Sequence, residues 1–96
     1  MNDARAVMVT TRHRGVFFGY VNGAEPTEEQ ATLDRARMCV YWSSDVRGVL
    51  GLVSGGPTGG CRVTHALAEP MTIYGITGVF DVTADAVKAW ERGPWS

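Results

Sequence analysis

Two arginines and two large aromatics fall within one eight-residue stretch, Arg35, Arg37, Tyr41 and Trp42 in RARMCVYW. Guanidinium groups give charge-assisted, often bidentate hydrogen bonds to phosphate or carboxylate, and aromatic faces stack on bases, so this interleaving suits a nucleotide-type ligand. The competing reading makes Trp42 core and leaves Arg35 and Arg37 as its exposed flank. A second cationic group, Arg12, His13 and Arg14 beside Gly15, is either a lip for an anion or a solvated turn.

Other chemistries lack their residues. His13 and His65 are the two histidines, and neither lies in a nucleophile motif. The sequence contains no HExxH, no phosphate loop ending in GK[ST] and no paired-histidine metal spacing, and GGPTGG lacks the lysine that phosphate chemistry needs. A protein without enzymatic activity, metal or cofactor is therefore expected. Cys39 and Cys61 have no CxxC spacing and read as small buried hydrophobes. Arg62 and His65, three apart on an expected strand, face opposite sides of it.

The elements that must position these residues follow from the pattern. ARAVMVT and VFFGYV flank RHRG, a β-hairpin signal in which Gly15 is expected to take a positive φ. NGAEPTEE, with Asn22-Gly23, Pro26 and three acids, reads as an exposed loop. From Ala31 to Trp42 the residues suit one long or bulged strand, in which Arg37 and Tyr41, four apart, share a face while Met38 and Trp42 take the other. Trp42 is then core or the wall of a pocket, and Tyr41 its exposed neighbour. Ser44 or Asp45 caps a short helix with Val46, Val49, Leu50 and Val53 on one stripe.

SGGPTGG is either a flexible loop or one that approaches a ligand closely. A strand from Cys61 to about Met71, with a turn at Glu69-Pro70, precedes one from Thr72 to Val82 broken by Gly75 and Gly78. Thr83 caps a closing helix that Gly93 and Pro94 end, with Asp85 in its first turn and Lys88 and Arg92 toward its end. The expected fold is α+β: a small curved, mostly antiparallel sheet or partly open barrel, with a short helix after the third strand and a C-terminal helix.

Length and charge bound the rest. Ninety-six residues, 45% hydrophobic and 20% charged, make a single domain over residues 1–96. So short a chain buries only about 60 to 65% of its unfolded surface, and nine aromatics have little interior to share, so a closed homo-oligomer is expected. A net charge of −1 argues against duplex nucleic acid as partner. The apolar runs are far shorter than the roughly 20 residues of a membrane span, and no basic-then-apolar stretch follows Met1, so a reducing cytoplasm is expected.

Three segments in order, VTTRHRGVFFG, LDRARMCVYW, and GCRVTHALAEP leading into ITGVFDVTADA, resemble a family of small phage and prophage proteins, a domain of unknown function. Its segments run like RTYSAGVHFG, LxNARRIWYW, and a Cys-Lys-Phe-Ser stretch before a terminal IEIIPCTEEA. The likeness covers most of the chain and carries over Thr11, Gly15, Val16, Phe18 and Gly19, then Leu33, Ala36, Arg37, Tyr41 and Trp42, then Cys61 and Thr83. Thr10, Met38, Val40 and GGPTGG depart from the pattern. The shared positions mix core and surface types, so the resemblance implies a common fold more firmly than a common ligand.

The resemblance implies a phage accessory protein acting in the cytoplasm of the infected cell. One role is to bind and sequester a small anionic or nucleotide-type signalling molecule of host defence, with Arg37, Tyr41, Arg12, Arg14 and Arg35 as ligand residues. The alternative is a structural or interaction module: a small virion or decoration protein, or a binder of a host protein through a β edge. Single-stranded nucleic-acid binding through the arginine and aromatic strand is a third reading.

Overall fold

The structure is a computed structural model that describes residues 5–12, 15–23, 25–42, 44–46 and 48–92. Its elements run β1 (Ala6–Thr11), β2 (Val16–Val21), β3 (Gln30–Tyr41), a 3-10 turn (Ser44–Val46), α1 (Gly48–Ser54), β4 (Arg62–Val63), β5 (Met71–Tyr74), β6 (Ile76–Asp81) and α2 (Ala84–Arg92). This is the expected α+β arrangement. All the ladders are antiparallel, in the order β4-β3-β2-β1-β6 with β5 also on β3.

The hairpin of β1 and β2 forms where the alternation placed it, with Met8 opposite Phe18 and Thr10 opposite Val16. Gly15 is not among the positive-φ residues. Its need for a missing Cβ is steric, since a Cβ there would sit 2.7 Å from both the Phe17 ring and Thr11 Oγ1.

The sheet is strongly curled, and Gly75 makes the corner. β5 runs along the start of β3 while β6 runs along β1. Between them the Gly75 amide donates to Glu29 O and its carbonyl accepts from Arg12 N. Its φ of +72° is a turn a side chain resists. Gly78, by contrast, lies inside β6; the irregularity there is a register shift between Ile76 and Gly78 against Thr10 and Thr11.

Curling buries both faces of the central strands. On one side Met8, Phe18, Cys39 and Val63 pack with Leu52 of α1 and with Ala86 and Trp90 of α2. Inside the curl lie Val7, Val9, Ala31, Leu33, Ala36, Ile73 and Ile76. That is why Val7, Met8 and Val9 are all fully buried in a run that does not alternate.

Two expectations need correction. The stripe from Val46 holds at Val46, Val49 and Val53, which pack on the helix-side core, and fails at Leu50, because Gly48 at φ +81° separates the 3-10 turn from the helix. Leu52 becomes the buried anchor and Leu50 is exposed. The strand expected from Cys61 to Met71 pairs regularly only at Arg62–Val63. Thr64 and Leu67 still bond to Met38 and Ala36, so the irregular segment follows the β3 edge.

α2 starts as its sequence requires. Thr83 Oγ1 accepts from Ala86 N and donates to Ser54 O, joining the cap to the end of α1. The expected stop at Gly93 and Pro94 lies outside the described residues, as does Trp95.

Candidate ligand-binding site

Arg35 and Arg37 are placed by a bulge. Pairing with β2 jumps from Phe18 opposite Arg37 to Tyr20 opposite Asp34, so Gly19 faces two residues, Arg35 and Ala36. Arg35 takes a φ of +52°, and its guanidinium carbon lies 4.1 Å from the centre of the Tyr20 ring. Cation–π contact of this kind contributes about 0.5–1 kcal/mol at exposed sites. Arg37 is half-buried, and its Nη1 donates to Thr64 O at 3.2 Å. Residues opposite one another share a face, so Arg37 stands on the helix side with Phe18.

Tyr20 ties the arginines to α2. Its hydroxyl donates to Glu91, and its pKa is raised above the ordinary phenol value by burial and then by that bond. Arg35 and Arg37 both pull in the other direction through their charge. Asp34 on the same face accepts from Asn22 Nδ2 at 2.7 Å.

Tyr41 does not join them. Cys39 pairs with Val63 but Tyr41 pairs with Arg62, an extra residue at Val40 that reverses the expected parity. Val63 is in the helix-side core, so Arg62 and Tyr41 face away from it and from Arg37. Tyr41 is 56% exposed, as expected, and Met38, expected on the core face, is 37% exposed. The spacing of four gave the wrong surface because bulges change parity.

Arg12 is exposed and its guanidinium lies against Gly75, where Nε comes within 3.6 Å of the position a Cβ would take. Among the described residues no hydrogen bond or ring contact joins it to Arg35, Arg37 or Tyr41. Arg14 and His13 lie outside the described residues. His65 is exposed, on the irregular segment rather than a strand.

A pocket forms where the sequence offered no polar cluster. Trp42 is half-buried, packs on the helix-side core, and with Thr10, Gly15, Val16 and Val49 lines an open pocket of about 360 Å³. The reading of Trp42 as core or pocket wall thus resolves into both. The contribution of Thr10 and Val49 was not legible, because strand pairing and helix placement bring them there. Thr10 stands in β1 and its Oγ1 is already bonded to Thr77 Oγ1.

The glycine loop packs on protein. Gly56, at φ +80°, is buried against α2, where a Cβ would lie 2.6 Å from Ala89 Cβ and 2.9 Å from Ala86 O. Pro57 is buried beside it. The loop and α2 flank an open cleft of about 540 Å³ with Asp85, Lys88 and Arg92 on its helix side. Cys39 and Cys61 are buried free thiols, and burial, with Cys61 as neighbour, pushes Cys39 up to about 12. Among the described residues no three acids, histidines or cysteines could hold a metal ion, and no helix is long and apolar enough to cross a membrane.

Neither the curated proteins nor the solved structures contain a match to this chain. A family model does match, over residues 4–90, which takes in every described strand and nearly all of α2. With the bulge arginines, the Trp42 pocket and the glycine loop all inside that match, the chain belongs to the family described as a domain of unknown function, DUF6948.

Proposed function

We propose that the protein is a non-enzymatic binding domain that captures a small anionic, nucleotide-type molecule. In this reading it is a phage accessory protein that sequesters a signalling molecule of host defence in the infected cell. The observation that supports the binding is Arg35 over the Tyr20 ring, with Arg37 opposite Phe18 on the face that carries Tyr20. Arg37 uses one N–H on Thr64 O and keeps the rest of a five-donor fork for an oxyanion. Arg35 serves mainly to cover the Tyr20 ring, and Tyr41 and Arg12 leave the site because they lie on another face and at another corner.

The reading is tested by titrating a nucleoside monophosphate and inorganic phosphate into wild type and Arg37→Ala, followed by calorimetry. A charge-assisted hydrogen bond contributes about 1.5–3 kcal/mol, so affinity should fall roughly 10-fold to 150-fold. Unchanged affinity in Arg37→Ala, or no binding by wild type, overturns the assignment. Arg37→Ala should cost about 1 kcal/mol of stability, more than a fully exposed cation, because the Thr64 carbonyl loses its donor.

An interaction module is the second reading, favoured by an exposed apolar strip. Met38, Val40 and Tyr41 on β3 and Leu67 on the segment bonded to it are 37%, 57%, 56% and 48% exposed. Such a strip beside a two-residue edge strand suits a second copy of the chain, a virion component or a host protein.

A further inference from the structure

We infer that the Trp42 pocket is a site for one flat, neutral aromatic ring of nucleobase size. This goes beyond the proposed anion capture by adding a site for an uncharged ring, and it stands on different residues from the anion reading.

The walls state the chemistry of the occupant. Trp42, Val16 and Val49 are apolar, Gly15 presents backbone, and Thr10 has its hydroxyl bonded to Thr77. No charged side chain is among the described residues lining the pocket, so a charged group entering it would lose part of its water with no opposite charge among those residues to offset the loss. A neutral ring meets no such cost. About 360 Å³ is at the small end of ligand pockets, room for one ring system rather than an extended molecule.

The elements hold this space open. Trp42 follows the last residue of β3, past the Val40 bulge, and lies on the helix side against the core. Val49 approaches from the first turn of α1. Gly15 cannot gain a Cβ without striking Phe17 and Thr11, so the pocket floor at the hairpin end stays free of a side chain. The Trp42 indole is only half-covered by protein and lines the pocket, and an aromatic side chain at a pocket wall offers a ring for stacking.

The experiment is two-dimensional NMR of the full chain, observing the indole N–H signals while adenosine, which carries no charge, is added. The signal absent from Trp42→Phe identifies Trp42. It should shift saturably with adenosine, while the signal of Trp90, whose Nε1 is bonded to Leu52 O, stays in place. Ribose 5-phosphate, which has charge but no base, should leave the Trp42 signal unmoved.

Val49→Phe, which fills the pocket and keeps Trp42, should weaken adenosine binding at least 10-fold. Should that variant not fold, wild type supplies the same answer through intermolecular NOEs from adenosine to the Val16 and Val49 methyls. No shift at millimolar adenosine, an equal response to ribose 5-phosphate, or full affinity in Val49→Phe overturns the inference. Because Arg37→Ala reads phosphate binding and Val49→Phe reads ring binding, either assignment can fail while the other stands.

Discussion

Phe18 of β2 and Trp90 of α2 stack with ring centres 5.0 Å apart and planes 7° from parallel, and both side chains are buried to within 1% of completely. Tyr20 makes a T-shaped contact with Phe18, ring centres 5.4 Å apart, and Trp90 Nε1 donates to Leu52 O of α1. One aromatic row therefore joins the sheet to both helices. Trp90→Ala should cost about 3–5 kcal/mol, a large share of the stability of so small a domain. Trp90→Phe keeps the ring contact and loses the indole bond, so it should cost about 1–2 kcal/mol. Urea unfolding followed by circular dichroism checks the order; equal losses would show that ring packing does not dominate.

Gly56→Ala should destabilise by about 2–4 kcal/mol, combining the strain of a positive φ with a Cβ pressed on Ala89 and Ala86. Gly48→Ala is the control, with the same sign of φ and nothing within 4 Å of its Cβ, and should cost only about 1 kcal/mol. Urea midpoints of the two variants compare them directly. Equal values would mean that the contact with α2 contributes nothing.

Alkaline pH should weaken the fold. Cys39 is pushed up to about 12 by burial, so the folded protein keeps a proton that the unfolded chain releases from about pH 9. Its contribution is whole below that pH and is lost as pH rises toward 12. Tyr20 is raised for the same first reason, with its bond to Glu91 second, and adds a loss of the same sign above about pH 10. The melting temperature should fall steadily between about pH 9 and 11. Cys39→Ala should flatten the first part of that fall and Tyr20→Phe the second, whereas a wild-type value constant to pH 11 would contradict both.

The exposed strip of Met38, Val40, Tyr41 and Leu67 should be covered by a second copy. Light scattering at high micromolar concentration should give a multiple of 10.4 kDa, and Val40→Lys should lower it by placing charge on the strip. A strictly monomeric wild type overturns the expectation.

Much of the fold was legible because local rules govern it. The hairpin of β1 and β2 follows from two β-rich runs around RHRG, α2 from the Thr83 cap and its apolar face, and the break at Gly75 from a glycine inside a strand pattern. Arg37 could be singled out from its company in RARMCVYW, and Trp42 could be assigned to a wall or a core from the same stretch.

What the chain alone determined was thus which segments extend or coil and which residue types could meet a ligand. Tertiary structure decided which of them face one another. The bulges at Arg35 and Val40 exist because β3 must pair with β2 on one edge and with β4 and β5 on the other while the sheet curls. Each extra residue reverses every later side chain, so the spacing of Arg37 and Tyr41 could not tell their faces. Likewise Trp90 became the centre of the core only because the second face of the sheet had to be covered. Parity and period are properties of a strand or helix by itself; burial belongs to the strands and helices packed together.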